Sequence, residues 1–260
     1  MHIEFIGLPG AGKTTLRKRL LSSLQKDGDS RCISSEDAIL ETSKDSIDWI
    51  LRYPLRYLPH SIALNFSRKL TNRSRMQFEA QNQFIASHGA ALDAFLTSVT
   101  YLRMSILDRQ RVIGSFLSMG ALWQCTSTAS TKNKVVFFEE GLVQKSFMFV
   151  DHSQREANDK DKILRYLENI PHADLVIHVS ASIQTSWSRM LSRPDGLTDR
   201  LKHADDDTIG CFLRASRAHL DVVTEWLTEN RREHFVVLNV ENDIAAEFDA
   251  IKDKVRQLKP

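Results

Sequence analysis

Residues 7–14 read Gly-Leu-Pro-Gly-Ala-Gly-Lys-Thr, a glycine, four residues, then Gly-Lys-Thr. An apolar run, residues 3–8, leads into this stretch, and Leu16, Leu20 and Leu24 follow it on one helical stripe. The expected local fold is strand, tight loop, helix, with the helix from Lys13 to about Gln25. Glycines let such a loop turn sharply, so that several N–H groups point at one anion. The helix it opens adds N-terminal amides and a dipole that favour phosphate. The expected cradle is Gly7, Pro9, Gly10, Ala11, Gly12, Lys13, Thr14 and Thr15. Lys13 would reach the outer phosphates of a nucleotide, and the Thr14 hydroxyl would ligate magnesium.

Further short apolar runs alternate with helical patterns. They fall at residues 31–34, 135–138, 175–179 and 235–240. This alternation predicts parallel βαβ units in an α/β fold, with strands buried on both faces. Ile209, Phe212, Leu213, Leu220, Val223 and Leu227 recur at helical spacing, as do Ile244, Phe248, Ile251, Val255 and Leu258. Both stripes are core-facing. Asn242 or Asp243 would cap the last helix. Residues of about 45–130 break the alternation and read as a helical insertion between the second and third core strands. The whole of 1–260 is expected to be one domain.

The run Val-Val-Phe-Phe-Glu-Glu-Gly places Glu139 and Glu140 at the carboxyl end of a buried strand, the edge at which open parallel sheets bind ligands. Glu139 is assigned to magnesium and Glu140 to the attacking group of an acceptor. A second acidic pair, Glu36 and Asp37, follows the weak second strand. By position Glu36 matches the acceptor-facing glutamate of the deoxynucleoside kinases, which this chain resembles; alternatively the pair would favour a helix dipole behind a Ser34 or Ser35 cap. After the fourth strand Arg189, Arg193 and Arg200 fall within twelve residues around a Pro-Asp-Gly turn. Guanidinium groups of this kind stabilise charge on a transferring phosphoryl group. Arg189 alternatively stacks on the nucleotide base.

The chain thus resembles the P-loop nucleoside triphosphatases, and within them the nucleoside and nucleotide kinases of the thymidylate-kinase-like and deoxynucleoside-kinase-like groups. The phosphate loop carries the specific part of this resemblance; the rest is order and spacing over about two thirds of the chain. It implies a three-layer sandwich around a five-stranded parallel sheet in the order 2-3-1-4-5, with a lid over residues of about 189–204. It also implies ATP and Mg2+ as donor and cofactor, and a small-molecule acceptor. In the deoxynucleoside kinases an arginine directly follows the glutamate at the strand end; here Glu140 and Gly141 follow Glu139. The expected activity is transfer of the ATP γ-phosphoryl group to a nucleoside, nucleotide or sugar-like metabolite. The alternative is an ATP-hydrolysing switch or a nucleotide-binding regulatory protein.

A net charge of +2 demands no nucleic-acid partner. Three widely spaced cysteines suggest neither disulfides nor zinc, and fit a reduced, cytoplasmic setting. The first apolar run passes straight into the glycine loop, so no removable signal peptide is expected. One local asymmetry stands out. Residues 49–78 contain no acid, while Arg52, Arg56, Arg68, Lys69, Arg73 and Arg75 lie among aromatic and leucine side chains. The segment is a solvated basic face, a wall for an anionic acceptor, or a peripheral contact with an anionic membrane.

Overall fold

The computed structural model describes residues 1–46, 75–100, 102, 104–127, 131–150, 160–193, 197, 201, 204–241 and 244–258. Arg200, Asn242, Asp243 and the basic segment up to residue 74 lie outside these residues, and the side chain of Arg75 does too.

Strand β1 (His2–Ile6) is followed by α1 (Lys13–Lys26), β2 (Cys32–Ser34), α2 (Ser35–Ser46), α3 (Arg75–Ser87), α4 (Gly89–Thr100) and α5 (Ile106–Thr126). Then come β3 (Val135–Phe138), the single turn α6 (Leu142–Lys145), α7 (Lys160–Asn169), β4 (Leu175–Ser180), α8 (Ile183–Leu191), α9 (Asp206–Asn230), β5 (Phe235–Asn239) and α10 (Ile244–Gln257). The five strands form one parallel sheet in the order β2-β3-β1-β4-β5. Ile3 pairs with Phe137 on one side and Leu175 on the other, so β1 is the central strand. All five of its residues are buried.

Helix ends follow local chemistry. Ser105, Ser182 and Asp205 cap α5, α8 and α9 by accepting from Asp108, Thr185 and Thr208 amides. Gly28, at φ 86°, supplies the left-handed residue that closes the turn after α1. The apolar stripes of α9 and α10 face the core, with Leu213, Val223, Leu227 and Val255 fully enclosed.

One expectation changes. β5 is an edge strand that pairs only with β4, and Val237 is 50% exposed; an apolar run there does not mean burial on both faces. Helices α3 to α5, which stand between β2 and β3, pack into the main core. Phe84, Phe95 and Phe116 belong to the main core, with Phe95 stacked on Phe116 at 4.0 Å and Tyr166 beside them. Gly120 of α5 lets the Phe84 ring lie directly on its backbone, where any Cβ would collide. Among the described residues no helix is long and apolar enough to cross a membrane.

Candidate active site

Every part of the site starts from the carboxyl edge of the sheet. β1 runs out at Ile6, and the next residues form the phosphate loop. Gly7, Gly10 and Gly12 have φ of 149°, 85° and 100°, values that L side chains rarely adopt. A Cβ on Gly7 would strike the Val179 carbonyl, and one on Gly10 the Ser186 carbonyl. The loop is therefore pressed between β4 and α8, and glycine is required for contact as well as conformation. Gly12 caps α1 without a side chain, which leaves the first amides of a 14-residue helix facing the loop.

Lys13 folds back over the loop, its ammonium donating to the carbonyls of Gly7 at 2.8 Å and Leu8 at 3.2 Å. Burial lowers its pKa to about 8; Glu140 opposes the shift and Arg193 adds to it. Lys13, Glu140 and Arg193 thus share one electrostatic neighbourhood. The Glu140 carboxylate is held below its usual value: burial would raise it, and Lys145 and Lys13 more than offset that. Lys145 itself is buried and meets Glu140 at 3.2 Å.

Thr14 donates its hydroxyl proton to Glu139. This pairing suits a magnesium site. The hydroxyl lone pairs stay available, the carboxylate is a hard oxygen donor, and magnesium usually takes one or two protein oxygens and completes its shell with water and phosphate. No group of three or more metal-ligating side chains exists among the described residues.

Arg17, one turn along α1 from Thr14, was not visible as a site residue in the sequence. It is 5% exposed and donates to Glu36 at 3.1 Å and Glu139 at 3.4 Å. The two acids after β2 meet different partners. Ser34 is the cap, its Oγ accepting from the Asp37 amide at 3.0 Å, while the Glu36 carboxylate turns to Arg17. Burial would raise the Glu36 pKa, but Arg17 and the residue's own amide bring it below the ordinary value.

A second unforeseen chain braces the loop from beneath. Glu4 lies in the middle of β1, 1% exposed, and accepts from the Gln144 amide at 2.7 Å. The Gln144 side chain in turn accepts from the Gly7 amide at 3.0 Å. Burial pushes the Glu4 carboxyl up to about 7 against the backbone amides that it faces. A Cβ on Gly141 would run into that carboxylate, so the strand end bearing Glu139 and Glu140 seats on Glu4. A charged residue inside an otherwise apolar strand was the clue in the sequence.

On the far side of the loop, Arg189 donates to the Ala11 carbonyl at 3.1 Å. It also borders a cavity of about 330 Å3 walled by Ala11, Gly12, Thr15, Leu16, Leu238 and Val240, with Arg19 as a second basic side chain at its edge. Apolar walls beside an arginine suit a flat base. Glu241, just past β5, accepts from the Ser182 amide and the Thr185 hydroxyl and fixes the start of α8.

No protein-family model matches the chain, and no curated protein matches it. Among solved structures it is similar to deoxyadenosine kinase from M. mycoides with bound dCTP, at 14% identity and TM-score 0.47, over 99% of this chain and 100% of that one. It is similar also to the same enzyme with bound dATP, at 16% identity and TM-score 0.46 with the same coverage. The strand order β2-β3-β1-β4-β5, with the loop after β1 and acids after β3, is that of the P-loop kinase fold.

Proposed function

We propose that this chain is a magnesium-dependent phosphotransferase that moves the γ-phosphoryl group of ATP to a small-molecule acceptor. The observation that carries the reading is the meeting of Lys13, the Thr14–Glu139 pair and Glu140 at one end of the sheet. Loop amides and Lys13 hold the donor phosphates, and the apolar cavity beside Arg189 takes the base. Thr14 and Glu139 would hold magnesium, which when bound offsets charge on the β- and γ-phosphates.

Glu140 takes the proton of the attacking hydroxyl as the new oxygen–phosphorus bond forms and the bond to the β-phosphate oxygen breaks. Its ionised state at neutral pH suits that role. Glu36 stands on the acceptor side, one guanidinium away from Glu139. Arg193, and Arg200 with it, would close over the transferred group and exclude water.

The test is ADP release by the purified protein with Mg2+ and ATP, with and without panels of nucleosides, nucleotides and sugar-like metabolites. One acceptor class should raise the rate by about a hundredfold or more over the acceptor-free background, the lower end of what a positioned catalytic base supplies. ATP hydrolysis at one rate whatever the addition would instead support a nucleotide-hydrolysing switch.

A further inference from the structure

Arg17 is a buried cation divided between two acids. Nη1 meets Glu36 Oε2 at 3.1 Å and Nη2 meets Glu139 Oε2 at 3.4 Å. Its Nε has no hydrogen-bond partner among the described residues. Glu139 gives its other oxygen, Oε1, to the Thr14 hydroxyl. Thr14 and Arg17 are three residues apart on α1, so they share a helix face. Glu139 is 42% exposed and Glu36 27% exposed, whereas the Arg17 side chain is 7% exposed. The carboxylates can reach solvent or ligand; the guanidinium is buried behind them, within reach of both.

A divalent cation beside Thr14 needs the negative charge of Glu139, directly or through water. Arg17 draws on the same charge. Two cations on one carboxylate repel each other, and the fork geometry of a guanidinium gives Arg17 somewhere else to go. Its second arm already rests on Glu36, and the unused Nε–H is a further donor with which to re-pair as the group turns.

We propose that Arg17 is a positioning residue that couples the two halves of the site: it competes with the divalent cation for Glu139 and transfers its charge to Glu36 when the cation binds. This rests on the donor-site reading above and extends it. Cation binding on the donor side then changes the electrostatic setting of the acid that faces the acceptor. By linkage, whatever binds at Glu36 alters cation affinity by the same factor.

Mn2+ serves as the probe, with its free concentration read by electron paramagnetic resonance in the presence of a non-hydrolysable ATP analogue. The proteins are wild type, Arg17→Gln, Glu36→Gln and the double variant. Arg17→Gln should bind Mn2+ about two- to fivefold more tightly, the range expected for a partly exposed ion pair. Glu36→Gln, which leaves the guanidinium to Glu139, should bind it more weakly by a similar factor. In the Arg17→Gln background, Glu36→Gln should have no further effect.

Unchanged or weaker Mn2+ binding by Arg17→Gln overturns the proposal. Equal weakening by Glu36→Gln in both backgrounds overturns it too, because long-range charge alone would explain the result. Should Arg17→Gln not fold, Glu36→Gln alone decides: affinity equal to wild type is fatal. Absence of Mn2+ binding by nucleotide-saturated wild type removes the donor-site reading itself, an outcome distinct from tight binding that ignores Arg17.

Discussion

The Gly7 amide donates to the side-chain oxygen of Gln144 at 3.0 Å, across 137 residues of sequence. The phosphate loop is thereby tied to the turn that follows its own acidic strand end. Gln144→Leu leaves a buried amide without a partner, which costs about 1–3 kcal/mol. Urea unfolding should show that loss, and ATP affinity should fall with it because the loop relaxes. Wild-type stability together with wild-type affinity would mean that the brace is dispensable.

Lys13 predicts a proton signature. With its pKa lowered to about 8, part of the free protein carries a neutral amine at mildly alkaline pH. Bound phosphate favours the ammonium, so ATP binding near pH 8.5 should take up a fraction of a proton. Calorimetric enthalpies measured in buffers of different ionisation heat report that number directly. Lys13→Ala should abolish the uptake and weaken ATP binding, and wild-type turnover by Lys13→Ala would sink the phosphate-loop reading.

The two candidate acids separate kinetically. Glu140→Gln should lower kcat by roughly a hundredfold or more while ATP affinity changes little. Glu36→Gln should act mainly on the acceptor KM. The opposite pattern would move the proton-accepting role to Glu36.

Glu4 makes stability depend on pH. Its folded pKa, about 7, lies above the ordinary value of 4.5, so the folded protein holds that proton longer than the unfolded chain does. Stability therefore falls as pH rises from about 4.5 to 7, and the loss persists above 7. For a fully buried carboxyl this amounts to roughly 3 kcal/mol at most. Urea midpoints at about pH 5 and pH 8 should differ by less in Glu4→Gln than in wild type; equal differences would show that Glu4 does not titrate in this window.

The phosphate loop was legible in the sequence because its chemistry is local: three glycines, a lysine and a threonine within eight residues. Strand order was reachable only through resemblance, since parallel neighbours are distant in the chain. Arg17 was hidden for a different reason. On a helix written KTTLRKRL, it looks like one basic residue among several, and only the fold shows that its face carries Thr14 as well. Gln144 and Lys145 gave no sign, because a four-residue helix has no readable period. Of the two readings of Glu36 and Asp37, the helix start behind Ser34 is formed at Asp37, whose amide donates to Ser34 Oγ, while the Glu36 carboxylate pairs with Arg17, a partner the sequence did not suggest. Edge position, which exposes Val237, is a property of the sheet and not of any strand's own composition.

A central first strand has a consequence for biosynthesis. The amide of His2 is held by Asp174, 172 residues later, and Gly10 is packed on the backbone of α8. The phosphate loop is synthesised long before its walls, which are made only near residue 190. At typical elongation rates that is a wait of roughly 10–35 s. Closing so long a loop is also entropically costly until the strand pairs. Nascent chains stalled short of α8 should therefore carry the glycine loop and the acids after β3 yet fail to retain nucleotide, and competence should appear only once β5, which brings Leu238 and Val240 to the cavity wall, has emerged as well.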